Sequence, residues 1–166
     1  MPLKLAPRLK AFDYTGFSRY FLTICTLNRH LAFVEPAAVT DVASQLSHTS
    51  EAECFSVPAY CFMPDHFHAL IEGGRADANL PRFVRLFKQC SSFHWKHRTG
   101  TTLWQRGYFE HVLRAEEDSF DVARYVLHNP VRAGLVSRPE DYPFLGSLTV
   151  SVRDLLYSVQ INNRRT

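Results

Sequence analysis

Several features are missing from this 166-residue chain, and each absence narrows what it can be. No run approaches the roughly 18 uninterrupted apolar residues that a membrane span needs. The opening Met1-Pro2-Leu3-Lys4-Leu5-Ala6-Pro7-Arg8 lacks the apolar stretch of a secretory signal. A cytoplasmic location with no membrane partner is therefore expected. The four cysteines, Cys25, Cys54, Cys61 and Cys90, form no C-x-x-C pair, which argues against a zinc knuckle or a dithiol redox motif. Each sits among apolar residues and reads as a small reduced core side chain. No internal repeat or low-complexity tract occurs. Acidic residues are also absent from Arg82 up to Glu110, while Arg82, Arg85, Lys88, Lys96, His97 and Arg98 crowd that segment.

What is present is ordinary globular composition, with 46% apolar and 21% charged residues and a net charge of +3. The length suits one domain with a normal core. The expected division is an N-terminal arm over 1–12, a domain over 13–148 and a tail over 149–166. The tail's last part, 158–166, is basic and reads as frayed.

Between the ends the pattern alternates. Ser18 to Thr26 is rich in aromatic and β-branched residues and predicts a strand. Glu35-Pro36 opens a helix through about His48. Phe55 to Met63 predicts a second strand, with Pro58 marking an edge or a bulge. Pro64-Asp65 is a tight turn, and His66 to Glu72 returns as a third strand. Asn79 or its neighbour caps a helix to about Arg98, whose Phe83, Leu86, Phe87, Cys90 and Phe93 follow helical spacing. Gly100 closes it. Phe109 to Arg114 predicts a fourth strand. Asp118 caps a further helix, with Asp121 placed as in a capping box. The order β-α-β-β-α-β-α predicts an α+β, ferredoxin-like (split β-α-β) antiparallel sheet with helices on one face, plus a C-terminal helix.

Two segments carry candidate chemistry. In Met63-Pro64-Asp65-His66-Phe67-His68 the two histidines are two apart on a strand, so both imidazoles face one way and Phe67 faces the core. Imidazoles are common ligands of divalent metals. Among eight histidines one such pair also arises by chance. In Tyr125-Val126-Leu127-His128-Asn129-Pro130 the tyrosine and Asn129 share a helix face. Alone, Tyr125 reads equally as a half-buried aromatic and Asn129 as a helix end before proline. Together they gain force. A tyrosine hydroxyl, with an ordinary pKa of roughly 10, is a poor nucleophile unless a base or a cation assists it. A divalent ion on His66 and His68, completed by the Asn129 amide, could polarise a phosphodiester beside Tyr125. Such a site suits Mg²⁺ or Mn²⁺ in function, although the imidazoles would also take Zn²⁺ or Ni²⁺. The stretch Leu103 to His111 holds aromatic and cationic groups that could grip single-stranded nucleic acid or simply cover the core.

With Tyr14-Thr15-Gly16, Tyr20-Phe21-Leu22-Thr23, Asn28-Arg29, Leu103-Trp104-Gln105-Arg106, Glu110 to Arg114 and Asn129 to Leu135 in the same order, the chain resembles the single-tyrosine HUH transposases. Within them it resembles the REP-associated tyrosine transposases, over about Asp13 to Gly146. The resemblance implies that His66, His68 and Asn129 hold Mg²⁺ or Mn²⁺ and that Tyr125 is the catalytic nucleophile. It implies cleavage of single-stranded or hairpin DNA through a 5′-phosphotyrosine intermediate, then rejoining without ATP. Arg29, Arg85, Lys88, Trp104, Gln105, Arg106 and Arg114 are the expected DNA contacts, and the protein would act as a monomer or a homodimer. Rival readings are a non-catalytic hairpin-DNA binder or repressor, an RNA-binding module on the same fold, and a relaxase or replication initiator.

Overall fold

A computed structural model describes residues 11–162. Nearly all of the expected arm and residues 163–166 of the expected tail lie outside the described residues. The alternating segments pair into one antiparallel sheet of five strands: β1 (Arg19–Cys25), β2 (Phe55–Met63), β3 (His66–Gly73), β4 (Phe109–Val112) and β5 (Leu145–Gly146). Their order is β4-β1-β3-β2-β5. The third strand thus lies between the first two, as the split β-α-β arrangement requires, and β5 extends the sheet beyond β2. Pro58 falls where the β2–β3 register shifts between Ser56 and Ala59. A proline cannot donate to the ladder, so the bulge is its natural place.

Alternation sends Leu22, Ile24, Phe67, Ala69 and Ile71 to one face, closed by α1 (Pro36–Ala52) and α2 (Leu80–Thr99). Asn79 caps α2 by accepting from the Arg82 amide at 2.9 Å, and Gly100 ends it in the left-handed region at φ 74°. The apolar stripe is narrower than its spacing predicts. Phe93 is 66% exposed and lies beside His94 and His97, while Trp95 is buried in its stead.

Phe21, Cys61, Met63 and Leu70 point to the opposite face, which α3 (Ser119–Leu127) covers. Asp118 caps α3 by accepting from the Phe120 amide at 2.8 Å. Asp121 does not complete a capping box but pairs with Arg124. The short α4 (Asn129–Arg132) follows directly. The tail departs from expectation: it forms α5 (Val152–Asn162), whose Leu155, Leu156 and Val159 pack with Ala123, Val126 and Leu127 of α3. No helix among the described residues is long and apolar enough to cross a membrane.

Candidate active site

The site forms where β1 and β3 meet the far end of α3. Register pairs Cys25 with His66 and Thr23 with His68. The connecting turn is held from the β1 side, since the Thr26 amide donates to the Asp65 carbonyl and the Phe33 amide to the Pro64 carbonyl, both at 3.0 Å. Phe67 is fully buried on the other face, against Phe62 and Phe87. Its packing fixes the strand's orientation, and the two imidazoles project together towards α3.

Each ring is anchored through Nδ1. His66 Nδ1 is 2.6 Å from Asp65 Oδ1, and the other Asp65 oxygen is 2.8 Å from Arg29 Nε. His68 Nδ1 is 2.8 Å from Thr23 Oγ1. The two Nε2 atoms consequently converge, 3.0 Å apart. A hydrogen bond to one ring nitrogen orients an imidazole and selects its tautomer. Asn28 and Arg29 both have left-handed backbones, at φ 54° and 57°, uncommon for non-glycine residues. This irregular turn returns the Arg29 side chain to Asp65.

Burial pushes the pKa of His66 below its ordinary value, partly offset by the hydrogen bond to Asp65. His68 lies well below the ordinary value, first because it is buried and then because of the charges of His66, Arg132 and Arg29. Both rings are therefore neutral near pH 7, the form that binds metal without competition from protons. In an octahedral shell with bonds of about 2.1 Å, neighbouring ligands stand about 3 Å apart, and the imidazole nitrogens already have that separation. Among the described residues no group of three His, Cys, Asp or Glu side chains could hold a metal, so a third protein ligand to the pair would be of another type. Asn129, the first residue of α4, has a buried Nδ2 with no hydrogen-bond partner among the described residues. Amide nitrogen and oxygen are interchangeable by rotation, so this unsatisfied position suits an oxygen ligand. Imidazole nitrogens and an amide oxygen are donor types that suit a divalent ion.

Tyr125 lies in the last turns of α3, half-buried. Phe21 links it to the histidine pair: its ring meets the Tyr125 ring edge-on at 5.5 Å and stacks on His68 at 5.3 Å. On another side the Arg132 guanidinium lies 3.9 Å from the Tyr125 ring centroid, and Arg132 Nη2 donates to the Tyr125 carbonyl at 2.8 Å. Arg132 also acts electrostatically on His68 and on Cys61, whose thiol burial pushes up to about 12. Arg132 did not emerge from the sequence as a site residue. Its sequence carries no separate signal, because the helix breaks at His128 and only the turn into α4 brings Arg132 back over Tyr125.

The expected DNA contacts divide into groups. Arg29 is half-exposed beside Asp65. Gln105 reaches the same end of the sheet, because its backbone N–H donates to the Cys25 carbonyl at 3.0 Å. Arg106, Arg85 and Arg114 are exposed. Trp104 corrects an expectation: it is only 5% exposed, packs on Phe33 and Phe87, and donates its indole N–H to Ser91. A buried indole with a satisfied donor is not a stacking platform for DNA. Lys88 is also no free cation. Its ammonium donates to the Gln105 and Gly107 carbonyls, each at 2.7 Å, and burial lowers its pKa. Arg19 donates to the Ser119 hydroxyl and the Arg114 carbonyl and so fixes the start of α3.

Several known proteins are similar to this chain in sequence and fold. The family model described as "Transposase IS200 like" matches residues 17–129. A provisionally named REP-associated tyrosine transposase of Haemophilus influenzae (strain Rd) is 30% identical over 144 residues, spanning 80% of this chain and 81% of that protein. A REP-associated tyrosine transposase of Escherichia coli K12 is 28% identical over 91 residues, spanning 54% of this chain and 53% of that protein. Among solved structures, a REP-associated tyrosine transposase bound to a REP hairpin superposes with a TM-score of 0.70 at 21% identity, covering 84% of this chain and 82% of that one. The shared architecture is the five-stranded sheet with its flanking helices.

Proposed function

Because the chain belongs to the IS200-like transposase family, we propose that it cleaves and rejoins single-stranded DNA at hairpin repeats, with Tyr125 as nucleophile. The observation that supports this most is the convergence of His66 Nε2 and His68 Nε2 at 3.0 Å on the face where Phe21 joins His68 to Tyr125. Hairpin DNA as partner is supported by the REP hairpin in the structurally similar transposase.

Tyr125 Oη bonds to phosphorus while the bond from phosphorus to the 3′ oxygen breaks. The phenolic proton passes to solvent, and the departing 3′ oxygen takes up a proton. The products are a 5′-phosphotyrosine and a free 3′-hydroxyl. Attack of a 3′-hydroxyl on the phosphotyrosine then restores a phosphodiester and frees Tyr125, so no separate energy source is needed. His66, His68 and Asn129 would hold Mg²⁺ or Mn²⁺; when bound, the ion supplies charge neutralisation at the phosphate oxygens. Asp65 and Thr23 keep both Nδ1 atoms engaged so that both Nε2 atoms face the reacting centre. Arg132 offsets the negative charge that gathers on the phenol as its proton leaves. Phe21 excludes water from one side of the ring.

The experiment is incubation of the protein with a labelled hairpin oligonucleotide and Mn²⁺, followed by denaturing electrophoresis. A protein–DNA adduct absent in Tyr125→Phe supports the reading. Tight binding with no adduct replaces it with a non-catalytic hairpin binder.

A further inference from the structure

Beside Tyr125 lies a cleft of about 330 Å³ lined by Phe21, Phe109, His111, Asp121, Val122 and Tyr125. That size falls in the range of small-ligand sites, about 300–1,000 Å³. Its floor is a consequence of register. Phe21 pairs with His111, and Thr23 with Phe109, so the Phe21, Phe109 and His111 side chains stand on one face. Its roof is one face of α3, where Asp121, Val122 and Tyr125 fall at i, i+1 and i+4. The walls are largely aromatic. Besides the Tyr125 hydroxyl, the polar side chains of the lining are Asp121 and His111, and both are held. Arg124 donates to Asp121 Oδ1 at 2.7 Å, and His111 Nε2 is 2.8 Å from Glu117 Oε1. β4 is the terminal strand of the sheet, so the cleft opens sideways to solvent.

We infer that this cleft is a nucleobase pocket that seats a base next to the scissile phosphate, and that Asp121 gives it a preference for cytosine or adenine over thymine. The inference rests on Tyr125 being the nucleophile, since Tyr125 is the wall shared by cleft and reacting centre. A phosphate placed at the Tyr125 hydroxyl has its adjoining nucleotide beside the cleft mouth. Flat aromatic walls suit a base, because every base has a π-face to stack. A carboxylate accepts from an exocyclic amino group, as at cytosine N4 or adenine N6, whereas thymine offers only a carbonyl and a methyl there. The Arg124 partner offsets the repulsion that an isolated carboxylate would exert on a nearby phosphate.

The test uses the full-length Tyr125→Phe protein, so that affinity is read without covalent chemistry, and hairpin oligonucleotides with single-stranded arms from the gene's own flanking repeats. Each arm position is replaced in turn by an abasic site, and binding is followed by fluorescence anisotropy. One position should weaken binding about tenfold or more when abasic. Val122→Trp, which fills the cleft, and Phe109→Ala, which removes a wall, should each abolish the penalty at that position alone. Asp121→Asn, whose amide both donates and accepts, should bring cytosine, adenine and thymine there within about threefold of each other. No sensitive position, or a penalty unchanged in both cleft variants when both are folded by circular dichroism, overturns the pocket. Adduct formation by the wild-type protein is scored separately. Coupling without an adduct sinks the strand-transfer reading, and with it the pocket's place beside a scissile phosphate, and leaves only a base-binding cleft; an adduct without coupling keeps strand transfer and overturns the pocket.

Discussion

The Arg132 guanidinium lies 3.9 Å from the Tyr125 ring centroid while the same side chain donates to the Tyr125 carbonyl at 2.8 Å. One residue thus ties down both the ring and the helix turn that carries it. The opposite restraint is Phe21, which meets the ring edge-on. The proposed nucleophile is held between an aromatic edge and a cation, and the cation lies where phenolate charge would develop.

Replacing Arg132 by alanine should slow adduct formation by about tenfold, the worth of one well-placed cation–π contact. Hairpin affinity should change by less than about threefold, because this cation is committed to Tyr125. Arg132→Lys should restore little, since an ammonium lacks the planar fork that covers a ring and reaches a carbonyl together. Single-turnover kinetics set beside equilibrium binding separate the two effects.

The histidine pair makes stability depend on pH. Both folded pKa values lie below the ordinary value of about 6.5. Above that pH both states leave the imidazoles neutral, and no penalty arises. As pH falls through about 6.5 the unfolded chain takes up protons that the folded chain refuses, so stability declines until the folded pKa values are reached. The Tm of the metal-free protein should therefore fall between pH 7.5 and pH 5, with a shallower slope in His68→Gln. A flat profile would count against neutral, desolvated imidazoles.

Asn129 should matter to the metal and not to the fold. Its Nδ2 is buried without a partner among the described residues, so Asn129→Ala removes an unsatisfied polar group, and the metal-free Tm should hold or rise. The rise in Tm on adding Mn²⁺ should shrink, because one ligand is gone. An unchanged Mn²⁺ response would remove Asn129 from the ligand set.

Lys88 and Arg106 should fail in different ways. Lys88 holds the Gln105 and Gly107 carbonyls, so Lys88→Met should loosen that loop and weaken hairpin binding without altering its salt dependence. Arg106 is exposed, and Arg106→Ala should lower the slope of log affinity against log salt by about one. Titrations at several salt concentrations distinguish a loop-holding lysine from a phosphate contact.

Much of this was legible in the chain because local rules and tertiary packing agree. β2 spans Phe55–Met63 in pattern and in structure alike, and Asn79 and Gly100 bracket α2 as cap residues should. The alternation that turns Phe67 inward also turns His66 and His68 together. Legibility failed where a side chain has two good uses. Trp104 suits a base or a core equally, and only the nearby Ser91 hydroxyl decides. Phe93 obeys helical spacing, yet Trp95, two residues on, takes the buried position and leaves Phe93 exposed. α5 carries a thin apolar stripe whose partner, α3, lies far away in sequence, so its own residues read as a tail. Arg132 resembles any cation at a helix end until the fold places it on Tyr125.

The most direct test labels a hairpin oligonucleotide from the gene's flanking repeats at either end, adds Mg²⁺ or Mn²⁺, and follows the label into protein under denaturing conditions. The expected result is a covalent adduct that carries the 3′-end label, is lost in Tyr125→Phe and is lost in the His66→Ala, His68→Ala double variant. Cleavage that survives in Tyr125→Phe would contradict the account, because the nucleophile would then be water or another residue.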